Sequence, residues 1–234
     1  MSLNHGPKIN YNNLMVYLDA GNPKSYPGSG NTWYDLSGNG KNATLYNNPT
    51  FSQGALIFDG TASYGTIPSI LLNGDCTIEF AFKHFHNFVG DKYFLNSTSF
   101  YVYFRGDWAG NNMYLIRRTN GTDWYGQSAW GTTTGAYHPV PNNEISHIVF
   151  SQDNGTGQFK TYKNGVNTNT VNGFHNNATG TSTGYNGLNA VTANVTISSG
   201  FYTNVYFIKI YNTVLTPTQV QQNFKAVQSR LTIV

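Results

Sequence analysis

Apolar residues recur at every second position in short runs along almost the whole chain. Leu14, Val16 and Leu18 form one run, followed by Leu56 and Phe58, by Ile78, Phe80 and Phe82, and by Phe100, Val102 and Phe104. Met113 and Leu115, Ile148 and Phe150, and Tyr206, Ile208 and Ile210 continue the series. Successive side chains of a strand point to opposite faces, so this period predicts strands with one buried face each in a two-layer protein. Turn signals separate the runs: Asn73-Gly74-Asp75, Asn120-Gly121, Asn154-Gly155 and Asn164-Gly165. Asn-Gly accepts positive φ at little cost, as tight hairpins require. The last two turns predict a meander from Ser146 to Val171. The stretch from Asn172 to Gly187, mostly Asn, Thr and Gly, reads as a long exposed loop before alternation resumes at Val195 and Ile197.

One segment changes period. From Thr216 to Arg230, Thr216 can cap a helix, Pro217 suits its first position and Gln219 completes a capping box. Val220, Phe224, Val227 and Leu231 then recur at helical spacing, predicting one apolar face that docks on a sandwich edge or seals one end. Leu14 to Gly21 reads as a strand running into a turn and Ile208 to Asn212 as the last strand, and the two are expected to pair. The fold class is therefore all-β: a two-sheet antiparallel sandwich with one short C-terminal helix, a single domain over 14–234. The polar arm from Met1 to Asn13 cannot bury a core of its own and is expected to lie across a neighbouring subunit.

Three blocks of sequence then resemble a known family. The opening Leu18-Asp19-Ala20-Gly21-Asn22-Pro23-Lys24-Ser25-Tyr26, the Trp33 to Gly40 loop and Phe58-Asp59-Gly60 form the first. His147-Ile148-Val149-Phe150 with Tyr162-Lys163-Asn164-Gly165-Val166 forms the second, and Ile208 to Asn212 with Leu215-Thr216 and Asn223-Phe224 the third. Together they look like a laminin G-like domain of the concanavalin A-like jelly rolls, in a version similar to structural proteins of tailed bacteriophages. The resemblance covers most of the chain and is weakest between Lys83 and Asn143. It implies a jelly roll, often with a calcium ion and often with glycan binding.

Composition narrows the partners. Only 10% of residues are charged, so the polar surface is built from Asn, Thr, Ser, Gly and Gln, and 17 Tyr, 15 Phe and 4 Trp supply an aromatic share that suits strands. A net charge of +3 is too small for a nucleic-acid footprint, and Arg117-Arg118 reads as part of a solvated strand edge. No run reaches the roughly 20 apolar residues of a membrane span. The first residues carry neither a basic start nor an apolar run, so no signal peptide is expected. Cys76 stands alone and reads as a small buried thiol.

The candidate chemistry is sparse. Glycoside hydrolysis of the glucanase type needs two carboxyl groups about 5–10 Å apart. The chain has two glutamates, Glu79 and Glu144, neither with an acidic neighbour, and alternation places Glu79 opposite Ile78 and Phe80, towards solvent. Gly180-Thr181-Ser182-Thr183-Gly184 matches a nucleophile elbow only as a string, without its strand and helix. His84 and His86 share a strand face without a third ligand. The Asn-x-Ser/Thr triplets follow from the abundance of those residues. Calcium asks for loop oxygens, and Asp35, Asn39 and Asp59 are the candidate ligands; the competing reading is Asx turns onto backbone N–H groups. For sugar binding, Trp108 beside Asp107, Asn111 and Asn112 forms one set. Asp123, Trp124 and Tyr125 with Trp130, Tyr137 and His138 form another. Rings in both can stack on a pyranose, and both can equally fill a subunit interface. The leading expectation is a non-enzymatic virion structural protein of the capsid, neck or tail. It would associate with itself and other virion proteins, and touch host glycans. A free carbohydrate-binding lectin is the alternative, and a glucanase-type hydrolase the third.

Overall fold

The computed structural model describes residues 7–72, 74–85, 90–98, 100–106, 111–119, 123–126, 138–172, 174–176, 182–183 and 191–231. The strands run β1 (Leu14–Asp19), β2 (Thr32–Trp33), β3 (Ala43–Tyr46), β4 (Thr50–Ser52), β5 (Ala55–Asp59), β6 (Tyr64–Leu72) and β7 (Cys76–His84). Next come β8 (Gly90–Asn96), β9 (Phe100–Gly106), β10 (Asn111–Thr119), β11 (Asp123–Gly126), β12 (His138–Pro139) and β13 (Ser146–Asp153). The last are β14 (Gln158–Lys163), β15 (Val166–Asn172), β16 (Phe174–Asn176), β17 (Ser182–Thr183), β18 (Val191–Ile197) and β19 (Tyr202–Tyr211), before helix α1 (Pro217–Leu231).

They form two antiparallel sheets, the expected jelly-roll sandwich. The first has the order β15-β14-β13-β7-β19-β5-β4, with β1 also on β19; the second has β17-β16-β11-β10-β9-β8-β18-β6-β3-β2, with β12 beside β10. The closing strand organises the first sheet. β19 pairs with β7 along one edge, and on the other edge with β5 and then β1, so that Val16 faces Ile210. First and last strands thus meet as the sequence predicts. The meander also forms, as β13, β14 and β15, and Asn164 (φ 51°) with Gly165 (φ 77°) supplies its tight turn. Two expectations fail locally. Within the described residues, the stretch expected as a loop after Asn172 contains β16 and β17, and β10, carrying Arg117 and Arg118, is flanked by β9 and β11 rather than lying at an edge.

The core between the sheets holds Val16, Leu18, Trp33, Phe58, Phe80, Phe94, Phe104 and Ile210 among others, and Cys76 is buried there as expected. A second core lies on the outer face of the first sheet, where α1 lays Val220, Phe224, Val227 and Leu231 against Tyr17, Val149, Phe207 and Tyr211. The helix therefore covers a sheet face and not an edge. Its capping box closes as expected: Thr216 Oγ1 accepts from Gln219 N–H (3.2 Å), and Gln219 Oε1 from Thr216 N–H (2.8 Å). Two bulges correct the face assignments. Register shifts between Leu14 and Val16, and between Val205 and Phe207, send Leu14 and Tyr206 to the helix side, while Val16, Leu18, Ile208 and Ile210 stay between the sheets.

Charge is buried beneath α1. Glu79, expected to face solvent, is fully buried, directly opposite Lys209 in the β7–β19 register. Its Oε1 accepts from Lys209 Nζ (2.7 Å) and His147 Nε2 (3.0 Å), and its Oε2 accepts from Asn223 Nδ2 (2.6 Å). Burial alone would raise the Glu79 pKa, but the Lys209 ammonium and the His147 donor outweigh it and hold the group at about 2. Nearby, Arg230 forms a two-pronged bridge to Asp19 (2.7 and 3.0 Å), and the Tyr17 hydroxyl donates to the same carboxylate (2.9 Å). The guanidinium lies over Gly21, where a Cβ would collide with it. The described part of the arm, 7–13, also packs on its own chain. Asn10 N–H donates to Asn223 Oδ1 (2.8 Å), Lys8 O accepts from Gln222 Nε2 (2.6 Å), and Ile9 packs on the second core.

Two outcomes follow from this packing. Arg230→Ala removes both prongs from the buried Asp19 and lowers stability in urea unfolding by about 1–3 kcal/mol; Arg230→Lys restores only part of it. The Glu79 pKa is lower folded than its ordinary 4.5, so its contribution is complete above that value and lost as pH falls from 4.5 towards about 2. Acid titration of the unfolding free energy should show this loss in a chain whose Lys209 carries its free ammonium, and a shallower one in Glu79→Gln.

Candidate functional site

The two sheets differ in what covers them. α1 covers the outer face of the first over β1, β7, β13 and β19; on the second, the non-core positions of β2, β3, β6, β18, β8 and β9 carry mostly polar and aromatic residues. Register aligns Thr32, Thr44, Thr66, Thr196, Asn96 and Tyr101 as one row, one residue per strand. Their sequence neighbours Trp33, Leu45, Ile67, Val195, Ile197, Leu95 and Val102 lie in the core between the sheets, so the row faces outward. At a strand spacing of about 4.8 Å the row spans roughly 24 Å. The hydroxyls of Thr44, Thr66 and Thr196 and the amide of Asn96 have no hydrogen-bond partner among the described residues, which leaves their donors and acceptors to solvent or ligand.

Tyrosines flank the row. Tyr46 and Tyr64, opposite each other on β3 and β6, stack at 4.7 Å with planes 12° apart, and Tyr46 is 41% exposed. Further along, Tyr93 lies 5.3 Å from Tyr101 and 5.8 Å from Tyr103. Apart from the tyrosine phenol, the row carries no ionisable side chain. Such a surface suits a neutral, hydroxyl-rich ligand, because hydroxyls and an amide exchange hydrogen bonds with it while ring faces take its apolar patches.

The sugar-binding sets proposed from sequence lie further across the same sheet or outside what is described. Trp108 and Trp130 lie outside the described residues. Asn111 begins β10 opposite Gly106, whereas Asp123, Trp124 and Tyr125 lie on β11 opposite Thr119, Arg118 and Arg117. Asn111 and Thr119 are eight residues apart on β10, roughly 26 Å along a strand, so Asp123, Trp124 and Tyr125 lie at the far end from Asn111. His138 on β12, opposite Met113, lies at the Asn111 end, and Tyr137 lies outside the described residues. The tyrosine–threonine row escaped the sequence reading because each strand contributes a single residue. Its only signal is Thr or Tyr recurring at the non-core positions of the alternation.

The calcium candidates are not brought together. Asp35 accepts from Tyr17 N–H (2.8 Å), Ser37 N–H (2.9 Å), Ser37 Oγ (2.7 Å) and Lys41 N–H (3.0 Å). Asn39 lies beside it but turns its amide nitrogen to Leu14 O (2.9 Å) and Met15 O (3.2 Å), a donor where a cation needs oxygen. Asp59 is paired opposite Tyr202, while the Tyr17 that Asp35 holds is opposite Lys209; the seven residues between are roughly 23 Å along β19. Asp59 Oδ1 accepts from the amides of Thr61, Ala62 and Ser63 and from Ser63 Oγ, all at 2.9 Å. These amides, Thr61 foremost, hold its carboxyl well below the usual carboxylate range. The donor set does not fit a bound cation. Among the described residues no group of three His, Cys, Asp or Glu could hold a metal. His84 is buried with Nε2 on Val140 O (3.0 Å), and His86 lies outside the described residues. Glu144 is exposed in the turn before β13, and Glu79 is committed beneath α1. A depression of about 340 Å³ beside Asp59, lined by Asn48, Thr50, Ser63 and Tyr202, is a smaller concavity at the sheet edge.

No protein-family model matches the chain, and no curated protein sequence does. Among solved structures it is similar to domain 4 of AbnA, an extracellular GH43 arabinanase from Geobacillus stearothermophilus in complex with arabinotriose. That match has TM-score 0.64 and 19% identity over 91% of this chain and 98% of the other. It is also similar to the ligand-binding domain of botulinum neurotoxin serotype D in complex with N-acetylneuraminic acid, with TM-score 0.63 and 13% identity over 92% and 51%. A third is Trypanosoma rangeli sialidase, with TM-score 0.57 and 13% identity over 93% and 33%. The chain thus spans about half of the neurotoxin domain and a third of the sialidase. At these identities the likeness is one of fold. No helix among the described residues is long and apolar enough to cross a membrane.

Asp59→Ala removes the acceptor that gathers three amides. Hydrogen exchange at Thr61, Ala62 and Ser63 should accelerate while exchange in β19 and β7 stays at the native rate.

Proposed function

We propose that this chain is a carbohydrate-binding β-sandwich module whose ligand lies across the outer face of the second sheet. The observation that carries this reading is the outward row from Thr32 to Tyr101, uncharged and flanked by the Tyr46–Tyr64 stack and by Tyr93. Saccharides offer hydroxyls that pair with Thr and Asn side chains, and C–H faces that lie on tyrosine rings. Ligand charge plays little part, in keeping with a chain of which only 10% is charged.

The solved neighbours support it at one remove, since one is a domain in complex with arabinotriose and another a binding domain in complex with N-acetylneuraminic acid. None of the three is a virion component by name. The virion role ranked first from sequence therefore has no support from them, and the carbohydrate-binding alternative takes its place. In this reading the module binds without turning over its ligand, since among the described residues neither Glu79 nor Glu144 lies on this face.

A glycan array carrying arabinan and sialylated oligosaccharides tests the reading directly. At least one family of glycans should bind the native chain, and Thr66→Arg, placed mid-row, should abolish that signal while circular dichroism is unchanged. Tyr46→Ala should weaken it about tenfold, equivalent to about 1.4 kcal/mol. An array without hits, or binding indifferent to both variants, would sink the proposal.

A further inference from the structure

The buried cluster beneath α1 has a composition that carbohydrate binding does not explain. A primary amine, a carboxamide and a carboxylate converge there: Lys209, Asn223 and Glu79 are each fully buried. The geometry points to an intramolecular amide bond between Lys209 Nζ and Asn223 Cγ, formed by the protein itself with Glu79 as proton carrier, tying β19 covalently to α1.

Four requirements of that reaction are met by named groups. The nucleophile and the electrophile must be neighbours, and one carboxylate bridges them: Glu79 Oε1 accepts from Lys209 Nζ (2.7 Å) and Oε2 from Asn223 Nδ2 (2.6 Å). Holding both partners in one cage removes most of the entropy cost of a bimolecular step. The amine must shed a proton, and burial pulls the Lys209 pKa down, partly offset by Glu79. The amide oxygen must be stabilised as charge develops on it, and Asn10 N–H already donates to Asn223 Oδ1 (2.8 Å). Water must be kept out: the Lys209 ammonium lies 4.3 Å from the Phe207 ring centre and 5.5 Å from that of Tyr17, and Phe224 packs on His147 at 5.3 Å.

The step balances without any outside reagent. Across the 2.7 Å contact Lys209 Nζ passes one proton to Glu79 Oε1 in a minor state, against the ion pair that otherwise prevails, and becomes a neutral amine. Rotation about its four-carbon stem carries the amine onto Asn223 Cγ, where the new C–N bond forms and the oxyanion rests on the Asn10 N–H. Glu79 moves protons from the attacking nitrogen to Nδ2. The Cγ–Nδ2 bond then breaks, nitrogen leaves as ammonium, and Glu79 is again a carboxylate. Nothing is oxidised or reduced. His147, on Glu79 Oε1 at 3.0 Å, and the Tyr211 hydroxyl, accepting from Asn223 Nδ2 at 2.9 Å, are positioning residues.

Intact-mass measurement of the denatured full chain reads the bond. The native chain should weigh less than its sequence by one ammonia, and tryptic digestion should yield a branched peptide joining the Lys209 and Asn223 segments, uncut at Lys209. Glu79→Gln and Lys209→Met chains should have their full sequence masses. A native, folded chain at full sequence mass overturns the inference, whether or not either variant folds. So does an ammonia loss that persists in Lys209→Met, because that signature belongs to succinimide closure of an asparagine on its own backbone, most readily at the Asn-Gly pairs. Neither result bears on glycan binding, which occupies the other sheet.

Discussion

A sheet covered on both faces gives its polar side chains no water, and the first sheet is built around that constraint. One face meets the second sheet and the other meets α1, so each ionisable group beneath the helix has to find its partners inside the protein. Desolvating an ion costs several kcal/mol even after relaxation, and only close, well-directed contacts offset it. Glu79 meets the condition with three donors drawn from β19, β13 and α1, and Asp19 with the Arg230 fork and the Tyr17 hydroxyl. An apolar stripe of Val220, Phe224, Val227 and Leu231 could slide or rotate on a flat sheet. Asn223 and Arg230 cannot move without leaving a buried carboxylate short of a donor, so they set the helix in one register. The arm from residue 7 joins the same lock through Asn10.

The second sheet answers to the opposite condition. Its inner positions share the aromatic core, but its outer positions from β2 to β9 are free to present Thr, Asn and Tyr. A threonine on such a face is stiff at χ1 and holds its hydroxyl in a defined direction, so a row of them across strands is ordered before any ligand arrives. The division of labour is clear in these terms. Ionic contacts set the position of the helix on one layer, and neutral hydrogen-bonding groups are kept for the open side of the other.

Much of this is legible in the sequence, for local reasons. The Ser146 to Val171 meander and the capped helix each follow from signals within a few residues of one another, and the pairing of first and last strands follows from the way β-sandwiches close. The failures are non-local. Alternation assigns Glu79 to the non-core face correctly, but nothing nearby says that a helix from residues 217–231 will cover that face, so burial is missed. The bulges beside Leu14 and Val205 break the two-residue count and move Leu14 and Tyr206 to the helix side. The threonine row takes one residue from each of six strands spread between Thr32 and Thr196, and only sheet order puts them in line.

The loop from Trp33 to Gly40 shows how a residue type can be read correctly and its task missed. An acidic side chain beside Ser, Gly and Asn fits an ion site as well as it fits a turn, and the choice depends on what is short of partners nearby. Among the described residues β1 pairs only with β19, which leaves its other edge with N–H and C=O groups that no strand takes up, the template on which foreign strands grow. Asp35 takes the Tyr17 N–H, Leu36 N–H donates to Tyr17 O, Ser37 Oγ to Met15 O, and Asn39 Nδ2 to Leu14 O and Met15 O. Every one of these contacts satisfies the edge of β1. An edge left open would exact a continuing cost in solubility, whereas a cation would leave the Tyr17 and Ser37 amides unpaired. The carboxylate does here what a neighbouring strand would have done, and the loop closes the sheet by side chain where the topology offers no further backbone.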